Sequence, residues 1–345
     1  MSRLPMRLPR LGTIPLAVMV NAGFVGTASA HVKWFCAYNV AGQPRGLENV
    51  LCPNFELLIG VSMLALMAGS LVEWTFLGAA MLRAMDRATR FIEENTEMIF
   101  RGGCVFFFVA VWAIGGMILT PELKTNSTAV GALQLAIAAG MVSRRTMPLS
   151  GLGIFVLFDI AIWNYGTFHL ADYPIFLGVA AYIALKGAQT DFFGIRPIDV
   201  VRWAAGVTLM WASIEKWAYP EWSFPLFIEH PNLTFGFDPE FFMQAAGAVE
   251  FALAFALMWT PLVRRVAAIL LASMFVSAVL EFGKVDLIGH TLIVVVLVGI
   301  VGDSGGKTVL ARYPWLLPVG YAGAVSVFLT TYYLAHSALF GTSLT

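Results

Sequence analysis

Charge is scarce in this chain of 345 residues. Lys, Arg, Asp and Glu together make up 12% of it, hydrophobic residues make up 59%, and the formal net charge is zero. The mean hydropathy is +0.79. Since soluble domains carry about 25% charged residues, this composition excludes a soluble globular protein and predicts that a lipid bilayer surrounds the chain. The balanced charge also provides no basic face for nucleic acid.

Several short motifs that mark a cofactor or a catalytic site are absent. The sequence has no zinc-ligand spacing, no Cys-x-x-Cys-His haem attachment and no Gly-x-Ser-x-Gly hydrolase elbow. The stretch Gly302-Asp-Ser-Gly-Gly-Lys-Thr308 superficially resembles a phosphate loop, but it lacks the Gly-x-x-x-x-Gly-Lys spacing. We interpret it as a cytoplasmic turn between two membrane helices.

The first thirty residues have the pattern of a secretory signal. Arg3, Arg7 and Arg10 precede an apolar stretch, which ends in the Ala-x-Ala cleavage site Thr27-Ala-Ser-Ala30. We therefore assign residues 1–30 to a cleaved signal peptide. Cleavage after Ala30 would make His31 the mature N-terminus, outside the cytoplasm.

Cysteine is rare, with three residues in the chain. Cys104 lies in an apolar run and is expected to be an inert core residue. Cys36 and Cys52 lie on one short extracytoplasmic segment, where an oxidising compartment permits a disulfide. The sequence is equally compatible with a Cys36–Cys52 disulfide and with two free thiols.

A mature N-terminal His31 raises the possibility of a copper site. Its amine and its ring nitrogen could chelate the metal together, but no nearby His or Met cluster supplies further ligands. An ordinary residue after a signal site is the alternative.

Apolar runs recur along the rest of the chain and predict an all-α, polytopic membrane bundle of about ten transmembrane helices. The runs cover residues 55–82, 102–119, 130–142, 149–163, 174–185, 200–214, 241–259, 266–280, 291–301 and 315–335. Basic residues concentrate in alternate connections, so the positive-inside rule places those connections in the cytoplasm. The signal and the charge pattern together predict a multi-pass bacterial inner-membrane protein with an extracytoplasmic mature N-terminus.

A short internal sequence repeat, the echo, divides the chain. Residues 131–139, Gly-Ala-Leu-Gln-Leu-Ala-Ile-Ala-Ala, return at 247–255 as Gly-Ala-Val-Glu-Phe-Ala-Leu-Ala-Phe. Each copy follows an Arg-led apolar run and a Pro-Glu step, and each precedes a basic pair and an aromatic-Gly turn. This pattern predicts tandem four-helix repeats. The predicted parts after the signal are 31–95 (extracytoplasmic segment and first transmembrane helix), 96–190 (degenerate repeat), 198–303 (second repeat) and 304–345 (last transmembrane helix).

The two copies differ in their ionisable residues. The second copy has Glu215, Lys216, Glu250 and His290 where the first has Ile or Gly, Gln134 and Tyr173. A charge at the bilayer centre costs at least about 2.5 to 3.5 kcal/mol, so such side chains are expected to face the bundle interior. We expect the chemistry to lie in the second copy and the first copy to be structural.

Each of these residues also has a simpler interpretation. Glu250 could accept a proton or pair with a cation. Its simpler interpretation is a hydrogen bond between two helices. His290 either donates to a ligand carbonyl and relays a proton or caps a helix at the interface. Glu215 and Lys216 are neighbours that point to different sides of a helix, and Lys216 with Trp217 would suit an interfacial anchor.

Other ionisable or amide side chains lie in or beside apolar runs, and the sequence leaves them without partners. They are Glu73, Asp159, Asn164, His169, Asp172, Glu281, Lys284 and Asp286.

The second copy carries a series of short motifs in a fixed order. They are Arg202-Trp-Ala-Ala-Gly206, Ile214-Glu-Lys-Trp217 with Pro220-Glu221, Ala246-Gly-Ala-Val-Glu250, Arg265 with Ala267-Ala268, and His290. In these motifs about a hundred residues resemble the DoxX family of four-helix bacterial membrane proteins. The resemblance implies a compact helical bundle engaged in membrane redox work, including quinone reduction, and it indicates Lys216, Glu250 and His290 as site residues.

The first functional hypothesis is therefore a quinone-linked redox component or subunit of a membrane oxidoreductase complex. Glu250 would handle protons and His290 would hydrogen-bond a quinone carbonyl. Lys216 and Glu215 would polarise the mouth of the site, and Trp217 would contact the ring.

The alternative is a non-enzymatic protein for membrane transport, metal handling or complex assembly. It would hold metal at His31 or move an ion past Asp159 and Glu250. A scaffold within a larger membrane complex is also compatible with the sequence.

Overall fold

The computed structural model describes residues 32–305 and 313–343. The predicted signal peptide, His31 and most of the turn after Gly305 lie outside the described residues. Within them the chain is helical, and no strand is present. The α-helices are α1 Leu47–Val50, α2 Pro53–Glu73, α3 Phe76–Ile114, α4 Thr128–Gly140, α5 Met147–Tyr165, α6 Thr167–Leu170, α7 Pro174–Ala188, α8 Pro197–Ala218, α9 Phe224–Glu229, α10 Pro239–Ala256, α11 Pro261–Phe282, α12 Lys284–Gly302 and α13 Leu316–Phe340.

Six of these helices are long and apolar enough to cross a membrane, namely α2, α3, α5, α11, α12 and α13. Two further apolar helices, α4 and α7, are shorter. The described chain is thus an all-helical bundle with the length and composition of a membrane-embedded protein. The figure of about ten spans stays a prediction.

The helix boundaries differ from the predicted runs near the start of the bundle. Run 55–82 is not one helix, because α2 ends at Glu73 and the Thr75 hydroxyl accepts a hydrogen bond from Gly78 N at the start of α3. Helix α3 then continues for 39 residues through the charged stretch 86–97. That stretch lies between the predicted runs 55–82 and 102–119. Two of its acids have partners: Asp86 pairs with the buried Arg265, and Glu97 pairs with Arg144 at 2.7 Å.

Eight of the helices pack in one closed series, which we divide into a first group of four (α3, α4, α5 and α7) and a second group of four (α8, α10, α11 and α12). In the first group α3 packs on α4, α4 on α5 and α5 on α7; in the second α8 packs on α10, α10 on α11 and α11 on α12. The groups meet where α7 packs on α8 and where α12 packs on α3. Helix α2 covers α10 and α11, and α13 lies against α2 and α8.

Corresponding contacts recur in the two groups. Arg101 donates to Met141 O at 2.7 Å, and Arg202 donates to Leu257 O at 3.2 Å. Met141 and Leu257 each follow the last residue of an echo helix, α4 and α10. Helices α5 and α11 both end at a glycine of positive φ, +83° at Gly166 and +73° at Gly283, a backbone conformation that glycine adopts readily.

The chain between α3 and α4 folds back into the first group. The predicted run 102–119 is therefore helical only as far as Ile114, and the Pro-Glu step at 121–122 lies in a loop. Ile118, Leu119 and Leu123 are fully buried in this loop. The carbonyls of Met117 and Ile118 each accept a 2.9 Å hydrogen bond from Gln134 Nε2, which holds the irregular backbone inside the bundle.

Residues 32–46, the N-terminal strap, lie across both groups. Arg45 N donates to Ala218 O at 2.9 Å, and the Tyr219 hydroxyl donates to Gly42 O at 2.7 Å. The strap begins with a short 3-10 turn at Val32–Trp34, which places Lys33 and Trp34 between the groups.

Candidate functional site

A cavity of about 70 Å³ lies where the two helix groups meet below the strap. Lys216 at the end of α8, Glu250 in α10 and His290 in α12 line it. Lys216 Nζ lies 2.6 Å from Glu250 Oε2. The structure thus brings together three of the residues that the sequence singles out, from three helices.

His290 is held by its own helix and by aromatic rings. Its Nδ1 lies 2.9 Å from Oδ2 of the fully buried Asp286, one turn earlier in α12. The ring lies between Trp34 and Phe275, with centroid distances of 4.7 and 4.6 Å. An ionised carboxylate only accepts hydrogen bonds, so Asp286 favours a proton on Nδ1 and fixes the orientation of the imidazole.

Lys33 joins the two helix groups beside this cavity. Its ammonium contacts Asp172 of the first group, and its distance to Glu215 Oε1 of the second is 2.6 Å. Burial alone would lower the pKa of Lys33, but the carboxylates of Asp172 and Glu215 raise it above its usual range, so Lys33 stays charged. Tyr38 and Trp222 present ring faces to the same ammonium, each at 5.7 Å.

A further carboxyl, that of Glu122, lies beside the triad of Lys33, Asp172 and Glu215. The Tyr173 hydroxyl donates to Glu122 Oε1, and Tyr173 and Asp172 both line the cavity. Burial raises the pKa of Glu122 to about 7. Glu122 can therefore exchange a proton near neutral pH, which is unusual for a carboxyl group.

His169 completes the polar groups of this region. Burial, together with the positive charge of Lys33, lowers its pKa to about 3, so its ring is neutral at physiological pH. The ring packs edge-on against Tyr38 and Tyr165. His169 therefore serves as an aromatic wall rather than as a charge.

Residues of both helix groups line the cavity, and this changes the role expected of the first group. Thr120, Asp172 and Tyr173 belong to the predicted degenerate copy and line the same cavity as Glu250 and His290. The first group therefore supplies polar side chains to the candidate site, and it is not only a structural support.

Glu215, Lys216 and Trp217 occupy three different environments. Glu215 and Lys216 point to different sides, as expected, but each finds an oppositely charged partner inside the protein. Trp217 is not at an interface: it is buried, its Nε1 donates to Gln244 O at 3.1 Å, and it packs against Phe251. It is a core residue and does not line the cavity.

The remaining sequence candidates are dispersed. Glu73 accepts a hydrogen bond from Leu262 N at 3.1 Å and caps α11, and Glu281 pairs with His230 at 2.7 Å. Lys284 is exposed. Asp159 and Asn164 are also exposed, on the outer side of α5, contrary to the expectation that intramembrane polar groups face inward.

The structure has all three cysteines as free thiols. Cys52 Sγ lies 3.8 Å from Gln244 Oε1, and Cys36 packs against an apolar cluster that contains Leu226 and Phe227. The possible Cys36–Cys52 disulfide is thus not formed in it. Cys104 is fully buried in the core, as the sequence predicts.

Lys33, Trp34 and Glu122 are the site residues that sequence reasoning missed. Lys33 lies outside every predicted apolar run, so the argument from charges within apolar helices does not single it out. Glu122 was treated only as part of a Pro-Glu boundary. None of the three lies within an apolar membrane helix, where a single charged residue stands out in the sequence.

The possible copper site at His31 lies outside the described residues. Among the residues that the structure describes, no group of three or more His, Cys, Asp or Glu side chains could hold a metal ion. Comparison of the chain with family models, with curated proteins and with solved structures gives no match.

Proposed function

We propose that this protein is an inner-membrane, quinone-linked redox component built from two DoxX-like four-helix units. The observation that carries the proposal is the convergence of Lys216, Glu250 and His290 with Asp172 and Tyr173 at one buried cavity. Ionisable side chains gathered at a concave, largely apolar site are typical of ligand and reaction sites.

Matching contacts support the two-unit interpretation. Arg101 and Arg202 bind the carbonyl that follows an echo helix, and Gly166 and Gly283 end the corresponding next helices. Four helices per unit, together with α2 and α13, would account for the ten predicted spans.

The side chains suit hydrogen bonding to a quinone head group. Quinone reduction takes up two electrons and two protons, and we assign the electrons to a partner redox subunit. His290, held by Asp286 through Nδ1, would donate Nε2–H to one ring carbonyl as the imidazolium, the form in which both ring nitrogens carry a proton. Glu250, paired with Lys216, would pass the protons inward.

A face for that partner is available on α5. Asp159 is exposed there, next to the exposed Phe155 and Val156. A carboxylate turned toward lipid is costly, so we assign to this face a partner helix that carries a hydrogen-bond donor or a cation.

Transport of protons or small cations is the second candidate, and the cavity volume favours it. Ligand pockets measure about 300 to 1,000 Å³, whereas this cavity of about 70 Å³ has room for about two waters. Glu122 and Glu250 would then be the exchange sites, and Lys33, which stays charged, would be a fixed cation beside them.

The decisive experiment is chromatographic analysis of quinone extracted from detergent-purified protein. The test variants are Glu250→Gln and His290→Ala, and the matched controls are Glu240→Gln, in the same helix, and His230→Ala, both outside the cavity. Stoichiometric quinone in the wild type and the controls, lost in both test variants, supports the redox function. Absence of quinone from the wild type, in extracts and after addition of a short-chain quinone, would refute it and favour transport.

A further inference from the structure

The N-terminal turn reaches into the candidate site. Trp34 lines the cavity, and its indole packs on the His290 ring at a centroid distance of 4.7 Å. Lys33, the preceding residue, is buried between Asp172 and Glu215. The turn thus fills space among the same side chains that the proposed function uses.

Gly289 provides the room for the indole. A Cβ atom at this position would lie 2.0 Å from the Trp34 ring, far closer than any real contact. Because Gly289 lies within helix α12, where alanine is preferred by about 1 kcal/mol, local helix stability does not explain a glycine here. The flat surface beside His290 accepts a planar ring, and in this structure that ring is Trp34.

The turn has its own hydrogen bonds. Phe35 N and Cys36 N both donate to Val32 O, at 3.0 and 2.8 Å, which makes residues 32–36 one compact turn. The firm attachments of the strap to α8, through Gly42 and Arg45, lie farther along the chain. The turn itself is held by the Lys33 ion pairs and by the packing of Phe35 on Phe282 at 5.1 Å, so its displacement would break these contacts and leave Gly42 and Arg45 in place.

We propose that the space now filled by the Trp34 indole is the ring-binding half of the site, and that a planar quinone-type head group binds there by displacing residues 32–36. This inference rests on the proposed function. It also explains why the cavity of about 70 Å³ is smaller than a ligand pocket: the cavity is only the part of the site that Trp34 leaves open. The Lys33 ion pairs keep the turn in place when no ligand is bound.

Two variants test this on the full chain in lipid nanodiscs, in a Cys52→Ser, Cys104→Ala background that leaves Cys36 as the only thiol. Trp34→Ala removes the internal ring. Gly289→Ala forces the ring away without shortening it, but it also obstructs the site. Trp163→Ala is the control, because Trp163 is an exposed tryptophan on α5.

Two quantities are measured: the Kd of a short-chain benzoquinone, and the rate at which a maleimide labels Cys36. We expect Trp34→Ala to lower the Kd at least tenfold and to label at least tenfold faster than the wild type. Gly289→Ala should label faster without the gain in affinity, and Trp163→Ala should match the wild type. In the wild type, added quinone should accelerate labelling.

The outcomes separate this inference from the proposed function. Equal quinone affinity in the wild type and Trp34→Ala would overturn the inference and leave quinone binding standing. If no variant binds quinone, the proposed function fails, and labelling decides the rest. Faster labelling in both Trp34→Ala and Gly289→Ala would then mean that the turn can be displaced and that the site beneath it takes another planar ligand. Unchanged labelling in both variants would reject the displaceable turn as well.

Discussion

Gln134 and Glu250 occupy the same position in the echo but do different work. Gln134 donates both of its hydrogen bonds to the buried loop between α3 and α4, at Met117 and Ile118. Glu250 pairs with Lys216 and lines the cavity. A neutral amide therefore stabilises irregular backbone in the first helix group, whereas a carboxylate in the second faces the site.

The first group places its acids elsewhere. Asp172 and Glu122 lie in its connections rather than in its helices, and they reach the cavity region from the strap side. The first group thus supplies charge to the cavity region through its connections, whereas the second supplies it from its helices.

The largest effect is expected at the link between the groups. Lys33→Met leaves Asp172 and Glu215 buried without their cation, and breaking a buried ion pair in this way costs about 3 to 5 kcal/mol. We expect a marked fall in the thermal unfolding midpoint in detergent. Lys284→Met, at an exposed lysine, should change it little.

A neutral version of the triad separates charge from shape. In the triple variant Lys33→Met, Asp172→Asn, Glu215→Gln, no uncompensated charge is buried, so most of the lost stability should return. A midpoint as low as that of Lys33→Met alone would mean that the ammonium acts through packing and not through its charge.

The next effect tests the equivalence of the two groups. Gly166→Ala and Gly283→Ala each force a side chain into a positive-φ conformation where no atom crowds the new Cβ, at a cost of about 1 to 3 kcal/mol. Equivalent turns should lower the unfolding midpoint by similar amounts. Gly60→Ala, also uncrowded but inside α2, is the control and should not destabilise. A large loss in only one of the two turns would contradict their equivalence.

The sequence predicts part of the site for a clear physical reason. Charges are rare in apolar helices, so Glu250, Lys216 and His290 stand out, and burial forces them toward one another. The same argument was wrong for Asp159, which is exposed, because burial against a neighbouring helix cannot be read from one helix alone.

Lys33 and Trp34 could not be placed from the sequence. Their partners lie far along the chain, as Lys33 is 139 residues from Asp172 and 182 from Glu215. The loop at 115–127 was also missed, because buried irregular backbone is as apolar as a membrane helix and hydropathy does not distinguish the two.

The last effect depends on pH and concerns the two Pro-Glu steps. Burial raises the pKa of Glu122 from 4.5 to about 7, so between these values the folded protein binds more protons than the unfolded chain. The resulting contribution to stability is present below about pH 4.5 and is lost as the pH rises through about 7. His169, whose pKa burial lowers, acts in the opposite direction, so only the difference between variant and wild type isolates Glu122.

We therefore expect Glu122→Gln to match the wild type near pH 4.5 and to exceed its unfolding midpoint above pH 7. Scans of the midpoint against pH in detergent measure this difference. Glu221→Gln, at the exposed glutamate of the second group's Pro-Glu step, is the matched control and should change the midpoint little. Equal pH profiles for Glu122→Gln and the wild type would mean that Glu122 is ionised at neutral pH.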